Sequence, residues 1–312
     1  MGAAQWERLG RFFHAQGQRE WMASHSQMPH AEVVEGSVVR VYFSCRDSNN
    51  RSRIAWLLMD LERPGQVLDI SSEPLMVPGP IGTFDDCGVM SSWMTLRDGR
   101  RWFYVIGWNV KNLVPLHNSI GLGIGPGQGD PLADKWLGPV MERNPANPFY
   151  VSCPCVLPDD QGGWIMWYLC GLDWVVKDDK PLSRYTVWRA RSPDGVVWTP
   201  DPKATLDFVH PGELAIARPC VVRDRDVWRM WHCYRGEGFG YRIGYAESED
   251  GAVWTRRDGH LSLPPSGAGF DGDMTCYPFV FDHGGERWMI YCGDGFGQGG
   301  LGLARLDQGG AP

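Results

Sequence analysis

The sequence predicts an all-β fold, and three observations predict it. Short apolar runs rich in β-branched and aromatic residues follow one another along the whole chain, Gly, Asp and Asn punctuate between them, and helical periodicity is almost absent. The 312 residues include 40 Gly, 23 Pro and 12% aromatic residues, enough apolar surface to offset chain ordering and to exclude a disordered or collagen-like polymer.

The runs repeat. SQMPHAEVVEG (from Ser26), VMSSWMTLRDG (Val89), VSCPCVLPDDQ (Val151), IARPCVVRDRD (Ile216) and TCYPFVFDHGG (Thr275) read alike, with anchors at Pro29, Ser92, Pro154, Pro219 and Pro278. After each anchor comes a second run: VYFSCRD (Val41), WFYVIGWN (Trp102), IMWYLCGLDW (Ile165), RMWHCYRG (Arg229) and WMIYCGDG (Trp288). A third follows: RIAWLLMD (Arg53), SIGLGIG (Ser119), YTVWRARS (Tyr185), YRIGYAES (Tyr241) and GLGLARLD (Gly300). The D-G turns in SPDGVVW (Ser192–Trp198) and SEDGAVW (Ser248–Trp254) should lead each copy into a fourth strand. Five copies of a four-stranded antiparallel unit predict a five-bladed β-propeller. The fifth copy ends near Asp307 with no room for a fourth strand, whereas Trp6–Phe13 precedes the first copy without a blade of its own. The N-terminal strand is therefore expected to close the last blade, making residues 1–312 a single domain.

A formal charge of −7 leaves no basic stripe for nucleic acid. No apolar run reaches the roughly eighteen residues of a membrane-spanning helix, and the first residues lack the apolar core of a secretion signal. Nine cysteines, mostly inside apolar runs such as WHCY and IYCG, read as reduced, buried thiols, and the chain as cytoplasmic.

In a propeller the innermost strands converge on a central funnel, so residues just ahead of each anchor matter most. There the sequence offers Asp85 and Asp86 in the second copy, Glu213 in the fourth and Asp273 in the fifth; the first offers His25 and Gln27, the third Tyr150 and Ser152. Arg218 and Tyr277 directly precede their anchors. Carboxylates from separate blades facing one funnel suit glycoside cleavage, in which one acid protonates the departing oxygen and another group activates water. Asp86 and Glu213 form the expected acid/base pair, with Asp273 modulating or serving as alternative base. Arg46 and Arg53 flank the second and third strands of copy one as Arg235 and Arg242 do in copy four, and a guanidinium fork suits phosphate or carboxylate on a substrate. Trp108, Trp174 and Phe239 stand at strand tips where a sugar face can stack. The histidines lack metal-ligand spacing, so no metal or cofactor is expected.

FDDCGVM (Phe84–Met90), RPCVV with RMWHCYRG (Arg218–Gly236), YRIGYAESEDGAVW (Tyr241–Trp254) and MTCYPFVF (Met274–Phe281) resemble the five-bladed propeller superfamily of arabinanases, β-xylosidases, levansucrases, invertases and β-mannoside phosphorylases, within a bacterial branch described as glycosidase-like. The resemblance implies an enzyme acting on a small glycoside or sugar conjugate. It also implies a base Asp in the first blade, a pKa-tuning Asp in the second and an acid Glu in the third. Here the first blade shows His25 and Gln27, the second matches with Asp86 or Asp85, the third shows Ser152, and the invertase WMNDPNG motif is absent. A standard hydrolase triad therefore does not carry across. Phosphorolysis, with the arginines holding phosphate, and a non-hydrolytic carbohydrate-binding propeller are the alternatives.

Overall fold

A computed structural model describes residues 5–129, 131 and 133–307. Strand β1 (Gln5–Phe13) comes first, followed by four strands in hairpin succession: β2 (Ser24–Glu35), β3 (Val38–Arg46), β4 (Ser52–Asp60) and β5 (Val67–Ile70). The pattern recurs in β6 (Gly88–Arg97), β7 (Arg100–Val110), β8 (Leu116–Pro126) and β9 (Asp134–Lys135), then in β10 (Val151–Pro158), β11 (Trp164–Lys177), β12 (Lys180–Ser192) and β13 (Thr199–Ala204). It recurs again in β14 (Glu213–Asp224), β15 (Val227–Gly236), β16 (Phe239–Ser248) and β17 (Thr255–Arg256), and ends in β18 (Cys276–His283), β19 (Glu286–Cys292) and β20 (Leu301–Asp307). The last three strands take β1 as their fourth, with Gln5 opposite Asp307 and Phe13 opposite Leu301. Single parallel bridges, Ser52 to Gly88 and Tyr185 to Ala215, fuse the remaining meanders into two eight-stranded sheets. The opening strands pack in turn, β2 on β6, β6 on β10, β10 on β14 and β14 on β18, and β18 returns to β2. Among the described residues no helix is long and apolar enough to cross a membrane.

Each sequence anchor marks a bulge. The ladder between first and second strand slips at Gln27/His30, Ser91/Trp93, Ser152/Cys155, Ala217/Cys220 and Cys276/Phe279. In four of the five bulges the residue before the anchor proline takes a left-handed backbone: Met28, Cys153, Arg218 and Tyr277 have φ of 50–55°. A bulge leaves a residue outside the ladder and re-aims its neighbours. Proline fits there because it has no N–H to leave unpaired.

One residue past each anchor, a ring of side chains closes the space between the opening strands. His30 packs on Trp93 and Phe279, with ring centroids 5.1 and 4.3 Å apart, and Trp93 meets Phe279 at 5.6 Å. On the other side two thiols do the sealing: Cys155 Sγ accepts the Val221 N–H at 3.4 Å, and Cys220 Sγ accepts the Val280 N–H at 3.1 Å. All five residues are buried. The meanders are latched at their outer turns as well. Tyr104 donates to Gly195 O at 2.9 Å and Trp167 to Gly251 O at 3.0 Å, so each D-G turn caps the meander before it.

Candidate functional site

Above the sealed ring, on the side where the opening strands begin, lies a cavity of about 730 Å³. The second meander supplies its carboxylate. Phe84 carries the loop that ends in Asp85 and Asp86, and its ring rests on Gly107 and Gly121, where a Cβ would collide with it. The two acids then diverge. Asp85 is buried against Lys135 and Thr83, outside the cavity lining. Asp86 lines the cavity, accepting the Gly82 N–H at 3.0 Å and the Asn109 amide at 2.6 Å. Burial alone would raise the Asp86 carboxyl; the hydrogen bonds from Gly82, Asn109 and Cys87, with the charge of Lys111, outweigh it and hold the group below the ordinary carboxylate range. Asp86 is thus ionised at neutral pH.

The first meander contributes His25, Gln27 and Arg46. Arg46 Nε donates to Gln27 Oε1 at 3.2 Å and Nη1 to Asn50 Oδ1 at 2.7 Å, and its guanidinium lies 6.0 Å from the Trp108 ring centre. Burial, and after it the neighbouring Arg46 charge, brings the His25 imidazole down to about 4. Trp108 donates to Ser52 Oγ at 2.7 Å across Gly88, which has no side chain to block that approach. Ser152 lines the third side, accepting from Asn118 at 3.2 Å, with Trp174 beside it.

The far wall is a tyrosine cluster. Tyr185 and Tyr241 share a hydroxyl–hydroxyl bond, and Arg235 Nε donates to Tyr185 at 3.2 Å while its guanidinium lies 5.4 and 5.7 Å from the two rings. Tyr277 packs on Tyr241 at 5.8 Å. Burial raises all three phenols, so they stay protonated hydrogen-bond donors.

The cavity therefore gathers Asp86, His25, Gln27, Arg46, Trp108, Tyr150, Ser152, Trp174, Arg235 and Tyr277 from the residues singled out in the sequence. The others lie outside its lining. Glu213 is sealed against Arg256 at 2.7 Å and accepts the backbone N–H groups of Val209 and His210. Asp273 is exposed, and the carboxylate of Asp294 takes its backbone N–H. Arg218 is fully buried beneath the cavity, donating to Pro29 O at 2.6 Å and weakly to Ser92 Oγ. Strand parity separates the two arginine pairs. Residues opposite each other on neighbouring strands share a face; Arg53 stands opposite Cys45, not Arg46, and pairs with Asp47 at 2.5 Å. Arg242 stands opposite Tyr234 and lies exposed over Phe239.

Sequence reasoning missed Arg51, which donates to the Asp86 backbone carbonyl at 2.9 Å, and the tyrosines at 185 and 241. A signal for two of them was present: YTVWRARS and YRIGYAES both open their third strand with tyrosine. Among the described residues, no cluster of three or more His, Cys, Asp or Glu is placed to hold a metal ion.

No family model matches the chain. A glycoside hydrolase structure superposes with a TM-score of 0.72 at 15% identity, over 98% of this chain and 93% of its own. An exo-1,5-α-L-arabinanase from a bovine ruminal metagenomic library superposes with a TM-score of 0.63 at 13% identity, over 92% and 96%. In sequence, the uncharacterized protein MT1551 of Mycobacterium tuberculosis is 41% identical over 304 residues, 97% of this chain and 99% of its own. The chain belongs to the same family as that mycobacterial protein, and its fold is that of the β-propeller glycosidases.

Proposed function

We propose that residues 1–312 form one five-bladed propeller domain, each four-stranded meander a blade, and that its cavity is the site of a glycosidase-like enzyme acting on a small glycoside or sugar conjugate. The closed succession of opening strands supports the blade count. The observation that carries the function is the placement of Asp86: one ionised carboxylate, fixed by two hydrogen bonds, beside Trp108 and the tyrosine wall. Aromatic faces suit the apolar faces of a sugar, and Asp86 is the base that activates water or steadies positive charge at the sugar carbon. With its lowered pKa, Asp86 suits that role rather than the acid role, which requires a raised one. Nine unpaired cysteines favour a reducing compartment and hence the cytoplasm.

A second reading, a carbohydrate-binding propeller without turnover, is favoured by one observation: among the described residues no other carboxylate lines the cavity. Dinitrophenyl glycosides separate the two, because their leaving group departs without an acid. Turnover that falls by at least about a hundredfold in Asp86→Asn supports the enzyme. Sugar binding equal in wild type and variant, with turnover in neither, selects the binding protein.

A further inference from the structure

The arginines of this protein follow a rule. Those drawn out of solvent stand against carboxylates: Arg40 and Arg101 on Glu32, Arg53 on Asp47, Arg189 on Asp201, Arg256 on Glu213 and Asp258, Arg287 on Asp224 and Asp282. A second hollow of about 620 Å³, between β15 and β19, obeys it too, since both its arginines, Arg229 and Arg287, pair with Asp224. The rule has a physical basis, because a guanidinium withdrawn from water without a counter-charge is costly.

Three arginines break it: Arg218, sealed beneath the cavity on Pro29 O and Ser92 Oγ, and, in the cavity lining itself, Arg46 and Arg235. The latter two are half-buried in the cavity wall, and their hydrogen-bond partners are neutral: Gln27 and Asn50 for one, Tyr185 for the other. Arg51 adds a third cation to the lining, against the single carboxylate of Asp86. Arg218 deepens the imbalance from below, its charge acting on Cys153 in the cavity floor.

We propose that Arg46 and Arg235 form a seat for the phosphate group of a ligand. This rests on the carbohydrate reading only for the rest of that ligand. A guanidinium carries five N–H donors; Arg46 commits donors at Nε and Nη1, and Arg235 commits Nε, which leaves most of both forks for an anion. Two forks from different meanders, with protonated phenols between them, match the several oxygens of a phosphate better than the two of one carboxylate. The phosphate arrives either as an ester on the sugar or as free inorganic phosphate that replaces water as acceptor.

Calorimetric titration of the full chain with inorganic phosphate tests the seat. Saturable binding is expected, weakened at least tenfold in Arg46→Gln and in Arg235→Gln and partly restored in the lysine variants, which keep the charge but lose the fork. The unfolding midpoint of each unliganded variant separates lost affinity from lost folding. Glucose 1-phosphate or glucose 6-phosphate binding more tightly than both phosphate and glucose assigns the phosphate to the sugar. Glucose that tightens phosphate binding, with esters no better than phosphate, assigns it to a free co-substrate. No phosphate binding by wild type, or binding unchanged in well-folded glutamine variants, overturns the proposal. Asp86→Asn should bind phosphate at least as well as wild type, so a failure of Asp86 as catalyst leaves the seat standing.

Discussion

Arg256 Nη1 lies 2.7 Å from Glu213 Oε1, with both side chains almost completely shielded from solvent. Arg256 also reaches Asp258, which His210 contacts at 2.8 Å, so Glu213 is one member of a buried brace joining the loop before β14 to β17. Glu213→Ala should lower unfolding free energy by about 3 kcal/mol, because it takes one of two carboxylates from a buried guanidinium and leaves the Val209 and His210 N–H groups without their acceptor. Urea denaturation measures this directly. Turnover lost at unchanged stability would instead make Glu213 a participant in the chemistry.

Asp86 should set a distinctive pH profile. Its native carboxyl sits below the ordinary carboxylate value despite burial, so it remains a competent base on acidification until its own low pKa is reached. The acidic limb of kcat/KM is therefore expected below about pH 4. A limb near pH 6 would point to a different group as the base.

Strand parity makes a sharper test of the arginines. Arg53→Gln and Arg242→Gln should leave phosphate affinity within about twofold of wild type, whereas Arg46→Gln and Arg235→Gln should not. Arg53 is already neutralised by Asp47 and Arg242 is solvent-exposed over Phe239. Equal losses in all four variants would mean a diffuse field rather than a seat.

His30 offers a stability prediction. Burial first, and then the Arg218 charge, depresses its native pKa well below the free value of 6.5, and its Nδ1 has no partner. Below pH 6.5 the unfolded chain takes up a proton there that the native protein refuses, so stability is lost as pH falls through that range and recovered as it rises. Phenylalanine fits among Trp93 and Phe279. His30→Phe should flatten the decline between pH 6.5 and 5 by up to about 1.4 kcal/mol per pH unit, followed by urea midpoints.

Strand β1 ties the first residues to the last meander, and Trp6 is its buried peg, donating to Leu261 O at 2.8 Å and packing on Trp231. Trp6→Ala should cost about 3 kcal/mol in thermal or chemical unfolding.

How much of this was legible follows from which contacts are local. Strand succession, the repeat anchors and the D-G turns were readable because alternation, proline and turn chemistry act over a few residues, and the pairing of Trp6–Phe13 followed from counting strands. The fate of the acids was not. Asp85 and Asp86 are neighbours in sequence, and the partners that part them include Lys135, fifty residues on, for Asp85, and Asn109 on β7 for Asp86. Glu213 looked free because Arg256 reaches it from β17. Arg46 and Arg53 looked equivalent because hairpin register, which sets the face of each residue, depends on turn length rather than composition.

The ring of His30, Trp93, Cys155, Cys220 and Phe279 makes the cavity a blind well rather than a tunnel. A polysaccharide cannot be threaded through it, so any ligand of Asp86 enters from the mouth. Whatever is released must also retrace the path by which its precursor came. On the proposed glycosidase-like reading, product and substrate share one doorway, and accumulated product should slow turnover.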